Sequence, residues 1–124
     1  MNLIHTYSCK KMLYRKLNGK YLRDADRLIK KGDYAQASEK LWGAAAEIVK
    51  AVGAKRGIDL GTHASLWEYV SKLDNENPDW NLRKDFAYAG NLHQNFYEDW
   101  LTKEYIKDGL IIVKGFVKKL ETLL

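Results

Sequence analysis

Apolar residues recur through most of the chain at spacings of three and four. That is the period of an α-helix with one face turned to a core. Leu17, Tyr21, Leu22, Ala25, Leu28 and Ile29 share one side of a first helix, expected from about Cys9 to Lys31 and ended by Gly32. A second opens at Asp33, with Gln36 in capping-box position, and runs to near Gly53. Its stripe is Ala37, Leu41, Ala44 and Ile48, widened by Trp42, Ala45 and Val49. The alanines and Gly43 allow close approach of neighbours, so this helix is expected at the centre. AKRGIDLG reads as a loop. Thr62 caps a short third helix, ASLWEYVSKL, with Leu66, Val70 and Leu73 inward. DNENPD, which holds the sole proline, is the next loop.

The fourth helix is expected from about Trp80 to Leu101, with Phe86, Ala89, His93, Phe96 and Trp100 as its apolar stripe. Thr102 caps the fifth, which carries Ile106, Leu110, Val113, Phe116, Val117, Leu120 and Leu124. No alternating strand pattern interrupts the series. The expected fold is all-α: a single-domain antiparallel, up-and-down bundle of about five helices spanning residues 1–124.

Composition removes whole classes of function. Apolar residues make up 46% and charged residues 30% of the 124, which suits a folded domain rather than a disordered tail. No run of about 18 apolar residues exists, so no membrane span is expected. The opening MNLIHTYSCKKMLYRK has neither a long apolar core nor a small-residue cleavage site, and no secretory leader is expected from it. Cys9 is the single cysteine, which excludes an internal disulfide and a cysteine metal cluster. A reducing, cytoplasmic setting follows as the expectation.

The net charge of +5 is unevenly spread. Residues 1–33 carry nine basic and three acidic groups, whereas residues 74–101 carry two and six. Lys16, Lys20, Arg23, Arg27 and Lys30 recur at spacings of four and three, opposite the apolar face of the first helix. Such a row is commonly no more than a solvated face. Its functional reading is electrostatic capture of RNA, DNA or nucleotide phosphate. Tyr7, Tyr14, Trp67 and Trp80 are the aromatic residues that fall outside the core stripes.

His93 sits on the apolar stripe of the fourth helix, with Gly90 and Tyr97 as surface neighbours. It is either a core or interface histidine with satisfied nitrogens, or a general acid or base near neutral pH. Asn91, Asn95 and Glu98 form a second stripe turned away from it. His5 and His63 belong to other segments, so neither a metal site nor a bound cofactor is expected.

Two stretches carry a family resemblance. One is Gly32, Asp33, then Gln36, Ala37, Ser38, Glu39, Lys40, Leu41, Trp42, Gly43 and Ala44; the other is Leu92, His93, Asn95, Phe96, Tyr97 and Glu98. Together they resemble the archaeal PaREP family, from about residue 20 onward. That family is similar in turn to the HEPN superfamily, helical bundles that often dimerise and act in toxin–antitoxin and defence systems. Some HEPN proteins are metal-independent RNases, and others are partners of nucleotidyltransferases.

The RNase members use an arginine separated from a histidine by four to six residues, so that both meet one phosphate. Here the five to seven positions before His93 hold Tyr88, Ala87 and Phe86, and the nearest upstream arginine is Arg83. Ten residues of helix separate it from His93 by about 15 Å. The resemblance therefore implies a non-catalytic, homodimeric HEPN-like protein that binds a nucleotide, an RNA or a nucleotidyltransferase-type partner. Asn91, His93, Asn95, Tyr97 and Glu98 are the candidate ligand residues, and the basic row is the candidate phosphate surface. The alternatives are a metal-independent endoribonuclease with His93 as base, and a protein–protein adaptor held by opposite charge on the first and fourth helices.

Overall fold

The computed structural model describes residues 3–124, with side chains from Thr6 onward; Met1, Asn2 and the side chain of His5 lie outside the described residues. Every regular element among them is helical: α1 (Leu3–Lys31), α2 (Tyr34–Lys55), α3 (His63–Glu76), a 3-10 turn (Pro78–Trp80), α4 (Leu82–Glu98) and α5 (Lys103–Glu121).

Two residues join α1 to α2. Gly32 takes the left-handed conformation, φ +80°, that a residue with a Cβ resists. The Asp33 carboxylate accepts the Gln36 N–H at 3.3 Å and caps α2. The chain reverses, and the two helices run antiparallel. Asn18 faces Ala44, whose carbonyl accepts its Nδ2 at 2.6 Å. Where Gly43 meets Tyr21, a Cβ would lie 2.9 Å from the ring, so glycine sets the approach of α1.

As expected, α2 is central and packs on all four other helices. Ala37, Leu41, Ala44, Ala45, Ile48 and Val49 are fully buried along it. α4 runs back beside α2, and α5 returns along both. Lys119 Nζ donates to the Trp80 carbonyl at 2.7 Å and to Asp85 Oδ2 at 3.0 Å, and Lys55 Nζ reaches the Leu124 carbonyl at 2.7 Å. Thr62 and Thr102 cap α3 and α5 through N–H groups three residues on. Each such cap contributes about 1 kcal/mol.

The bundle matches the sequence expectation in class and helix count, and departs from it in detail. α1 begins at Leu3 instead of Cys9, with no glycine or proline to stop it. α3 continues through Asp74, Asn75 and Glu76, which were expected in a loop. α4 is shorter at both ends than the expected Trp80–Leu101. Asn81 and Asp99 both take left-handed backbone and bound it. Trp100 is therefore off the helix and 60% exposed, not part of a core stripe. The buried face of α4 is Leu82, Phe86, Ala89, Leu92 and Asn95. It is turned toward Leu92 because α4 packs on α5 as well as α2. Asn95, expected on a second stripe turned away from His93, is fully buried.

No helix among the described residues is long and apolar enough to cross a membrane.

Candidate functional site

His93 lies at the edge of the buried face of α4, where α4 passes α2. Its Nδ1 is 2.9 Å from Glu39 Oε2. A carboxylate accepts hydrogen bonds, so Nδ1 carries the hydrogen and Nε2 is left for other partners. The imidazole stacks on Trp42, with centroids 5.0 Å apart and planes at 26°. His63, the first residue of α3, meets His93 edge-on at 5.2 Å and Trp42 at 5.3 Å. Tyr97 closes the other side of the imidazole at 5.6 Å and is 72% exposed. Three helices thus bring two histidines and an indole into one cluster.

Trp42 and His63 form a wall common to two concave chambers. The first, about 310 Å³, lies between α2 and the segment leading into α3, with Glu39, Lys40, Glu47, Lys50 and Tyr21 among its lining. The second, about 380 Å³, lies between α3 and α4, and Trp67, Gly90, Asn91, His93 and Gln94 line it. Trp67 packs edge-on against Phe86 at 4.7 Å and leaves 39% of its surface open.

The first chamber holds an unusual acid. Glu47 is 9% exposed. Its Oε1 is 3.4 Å from Lys50 Nζ, and its Oε2 is buried without a partner. Burial pushes this carboxyl above the ordinary carboxylate range, with Lys50 acting against the rise.

The candidate residues read from the sequence separate here. His93 and Asn91 line the second chamber, and Asn91 Nδ2 also donates to the Tyr105 hydroxyl at 3.1 Å. Tyr97 stands beside them, and Glu98 is exposed at the last turn of α4. Asn95 does not join them. Its Oδ1 accepts the Trp100 and Leu101 N–H groups at 2.8 and 2.7 Å, and its Nδ2 reaches Ser38 Oγ at 3.3 Å. Those bonds commit it to ending α4.

The basic row on α1 is exposed along its length. Lys20 pairs with Asp24 at 3.0 Å, Arg27 lies 3.8 Å from the same carboxylate, and Lys30 pairs with Asp26 at 3.1 Å. Among the described residues Lys16 and Arg23 form no ion pair. The row touches the first chamber through Tyr21, whose ring carries Lys20 at 6.0 Å and Lys40 at 5.2 Å. Arg83 is held elsewhere: its guanidinium binds Asp74 Oδ2 and Asn75 Oδ1, both at 2.7 Å, and Ser71. It clamps the end of α3 to the start of α4.

Glu39, Trp42, His63 and Glu47 were not singled out from the sequence as site residues. Glu39 and His93 are 54 positions apart, and no local pattern pairs them. Glu47 did carry a signal, being the one acid inside the stretch AAAEIVKAV. Among the described residues no three His, Cys, Asp or Glu side chains gather as a metal site.

No curated protein matches the chain. A crystal structure of a protein from Sulfolobus solfataricus is similar in fold, with a TM-score of 0.77 at 22% identity over 86% of this chain and 95% of that one. Residues 13–117 match the model of the archaeal PaREP1/PaREP8 family, and the chain belongs to that family.

Proposed function

We propose that this chain is a non-catalytic, HEPN-like module that binds single-stranded RNA or a nucleotide in the two-chambered groove. The observation that carries the reading is the meeting of His93, His63 and Trp42 at the wall between the chambers. An imidazole N–H of His63 and the Lys40 ammonium group suit phosphate. Trp67 and Tyr97 offer open ring faces on which unpaired bases stack. The side-chain amides of Asn91 and Gln94 line the second chamber, where they can read base edges. The basic row on α1 extends the attraction beyond the groove by way of Tyr21. Arg83, spent on α3, supports the non-catalytic reading. The resemblance to HEPN proteins extends the proposal to one domain over residues 1–124, a homodimer, a cytoplasmic location and a nucleotidyltransferase-type partner in a defence-type system.

The test is a gel shift of a pool of labelled RNAs in EDTA, with the salt concentration varied. A shift that weakens steeply with salt and is lost in His93→Ala is the expected result. Cleavage lost in that variant would instead establish the second reading, a metal-independent RNase. His63 beside His93 favours that reading, since two imidazoles can serve as base and acid in one cleft. Neither shift nor cleavage would leave a protein–protein adaptor.

A further inference from the structure

We infer that the first chamber selects guanine, with Glu47 and Lys50 reading the edge of the base. The inference rests on the nucleotide-binding reading and adds to it a base and the residues that choose it. Glu47, 9% exposed, shares its face of α2 with Lys40 and Lys50 and lines a chamber of about 310 Å³. One of its oxygens has a single long contact, the 3.4 Å approach of Lys50 Nζ, and the other has none. A buried acceptor without a donor is costly, and in a chamber wall it calls for a donor from outside the fold. The terminal torsion of a glutamate is broad, so the carboxyl can turn its idle oxygen toward the chamber.

The ligand that fits must bring donors, and two of them side by side. A cationic amine would do so, but the adjacent Lys50 ammonium and the nearby Lys40 oppose it. Among the common nucleobases, guanine carries a ring N–H and an amino group next to each other on one edge, followed by a carbonyl oxygen. The two donors match the two carboxylate oxygens, and the carbonyl matches the Lys50 ammonium. Adenine places a ring acceptor beside its amino donor, and cytosine does the same. Uracil flanks one donor with two carbonyls, so each of these sets an acceptor against the carboxylate. Trp42 and Leu66 supply apolar lining for the ring system, while Lys40 and His63 stand in the same chamber for a phosphate.

Equilibrium dialysis of the full chain against guanosine 5′-monophosphate and adenosine 5′-monophosphate, at low salt, tests this. The expected result is a preference of about tenfold or more for the guanine nucleotide. Glu47→Gln, which keeps the shape and offers one acceptor beside one donor, should erase that preference or reverse it toward adenine. A circular dichroism melt confirms that the variant folds. Equal binding of the two nucleotides, or a preference unchanged in Glu47→Gln, overturns the inference while leaving nucleotide binding in place. A salt-sensitive RNA shift with no binding of either monophosphate has the same consequence. If neither nucleotide nor RNA binds, the functional reading falls and the inference with it.

Discussion

Ser38 and Glu39 are neighbours on α2, and each meets one polar residue of α4: Asn95 for Ser38, His93 for Glu39. The first pair is closed. Ser38 and Asn95 have no solvent exposure, and the asparagine oxygen is used by two backbone N–H groups. The second pair is open. His93 and Glu39 keep 22% and 31% of their side-chain surfaces exposed, and the imidazole faces a chamber. Two positions on one helix thus separate a polar group that holds the fold from one that faces open space. Polarity alone does not set what a residue does; its filled bonds and its access to open space do.

Asn95→Ala puts the largest strain on this comparison. It removes the acceptor of the Trp100 and Leu101 N–H groups, which then sit part-buried without a partner. We expect a loss of about 3 kcal/mol in urea unfolding. A loss below about 1 kcal/mol would mean that the closed pair does not hold the end of α4.

That same asparagine shows where the sequence could be read and where it could not. The helices, their caps at Asp33, Thr62 and Thr102, and the buried face of α2 all follow from local spacing, because period and capping are properties of neighbours. The end of α4 was misplaced because the Asn95 side chain, rather than any breaker residue, turns the chain at Asp99. The site was half legible. His93, Asn91 and Tyr97 lie together on α4, whereas Glu39, Trp42 and His63 reach them only through the packing of α2 and α3. Contacts over 30 to 54 positions leave no periodic trace in the chain.

Arg83→Ala should cost less, about 1–2 kcal/mol. It strips the mostly buried Asp74 carboxylate of its guanidinium and loosens α3 from α4. Its use lies in the second readout. If Arg83 is purely a clamp, the salt-dependent RNA shift persists in the folded variant. Loss of that shift with the fold intact would place Arg83 on the phosphate and restore the argument for catalysis.

His93→Ala should reverse the balance seen with Asn95. The ring is partly exposed and its loss leaves Glu39 open to water, so we expect about 1 kcal/mol or less in urea unfolding. Binding should fall at least tenfold. A variant as unstable as Asn95→Ala would make His93 a second closed position and remove the contrast.

The smallest effect separates the open chamber from the core by its pH dependence. Burial raises the Glu47 carboxyl above its ordinary value of 4.5, so the folded chain holds that proton more tightly than the unfolded chain does. Between the two values the native state carries more protons, and stability falls as pH rises. Once pH exceeds the raised value the penalty is complete and stays constant. Glu47→Gln carries no such charge. Its melting temperature should therefore equal that of the wild type near pH 4 and exceed it by a few degrees or less at pH 7.5. The other carboxylates titrate alike in both proteins and cancel in the difference. A variant less stable than wild type at pH 7.5 would show that the Glu47 charge is satisfied within the fold. The carboxylate would then belong with Ser38 and Asn95 on the closed side of the comparison.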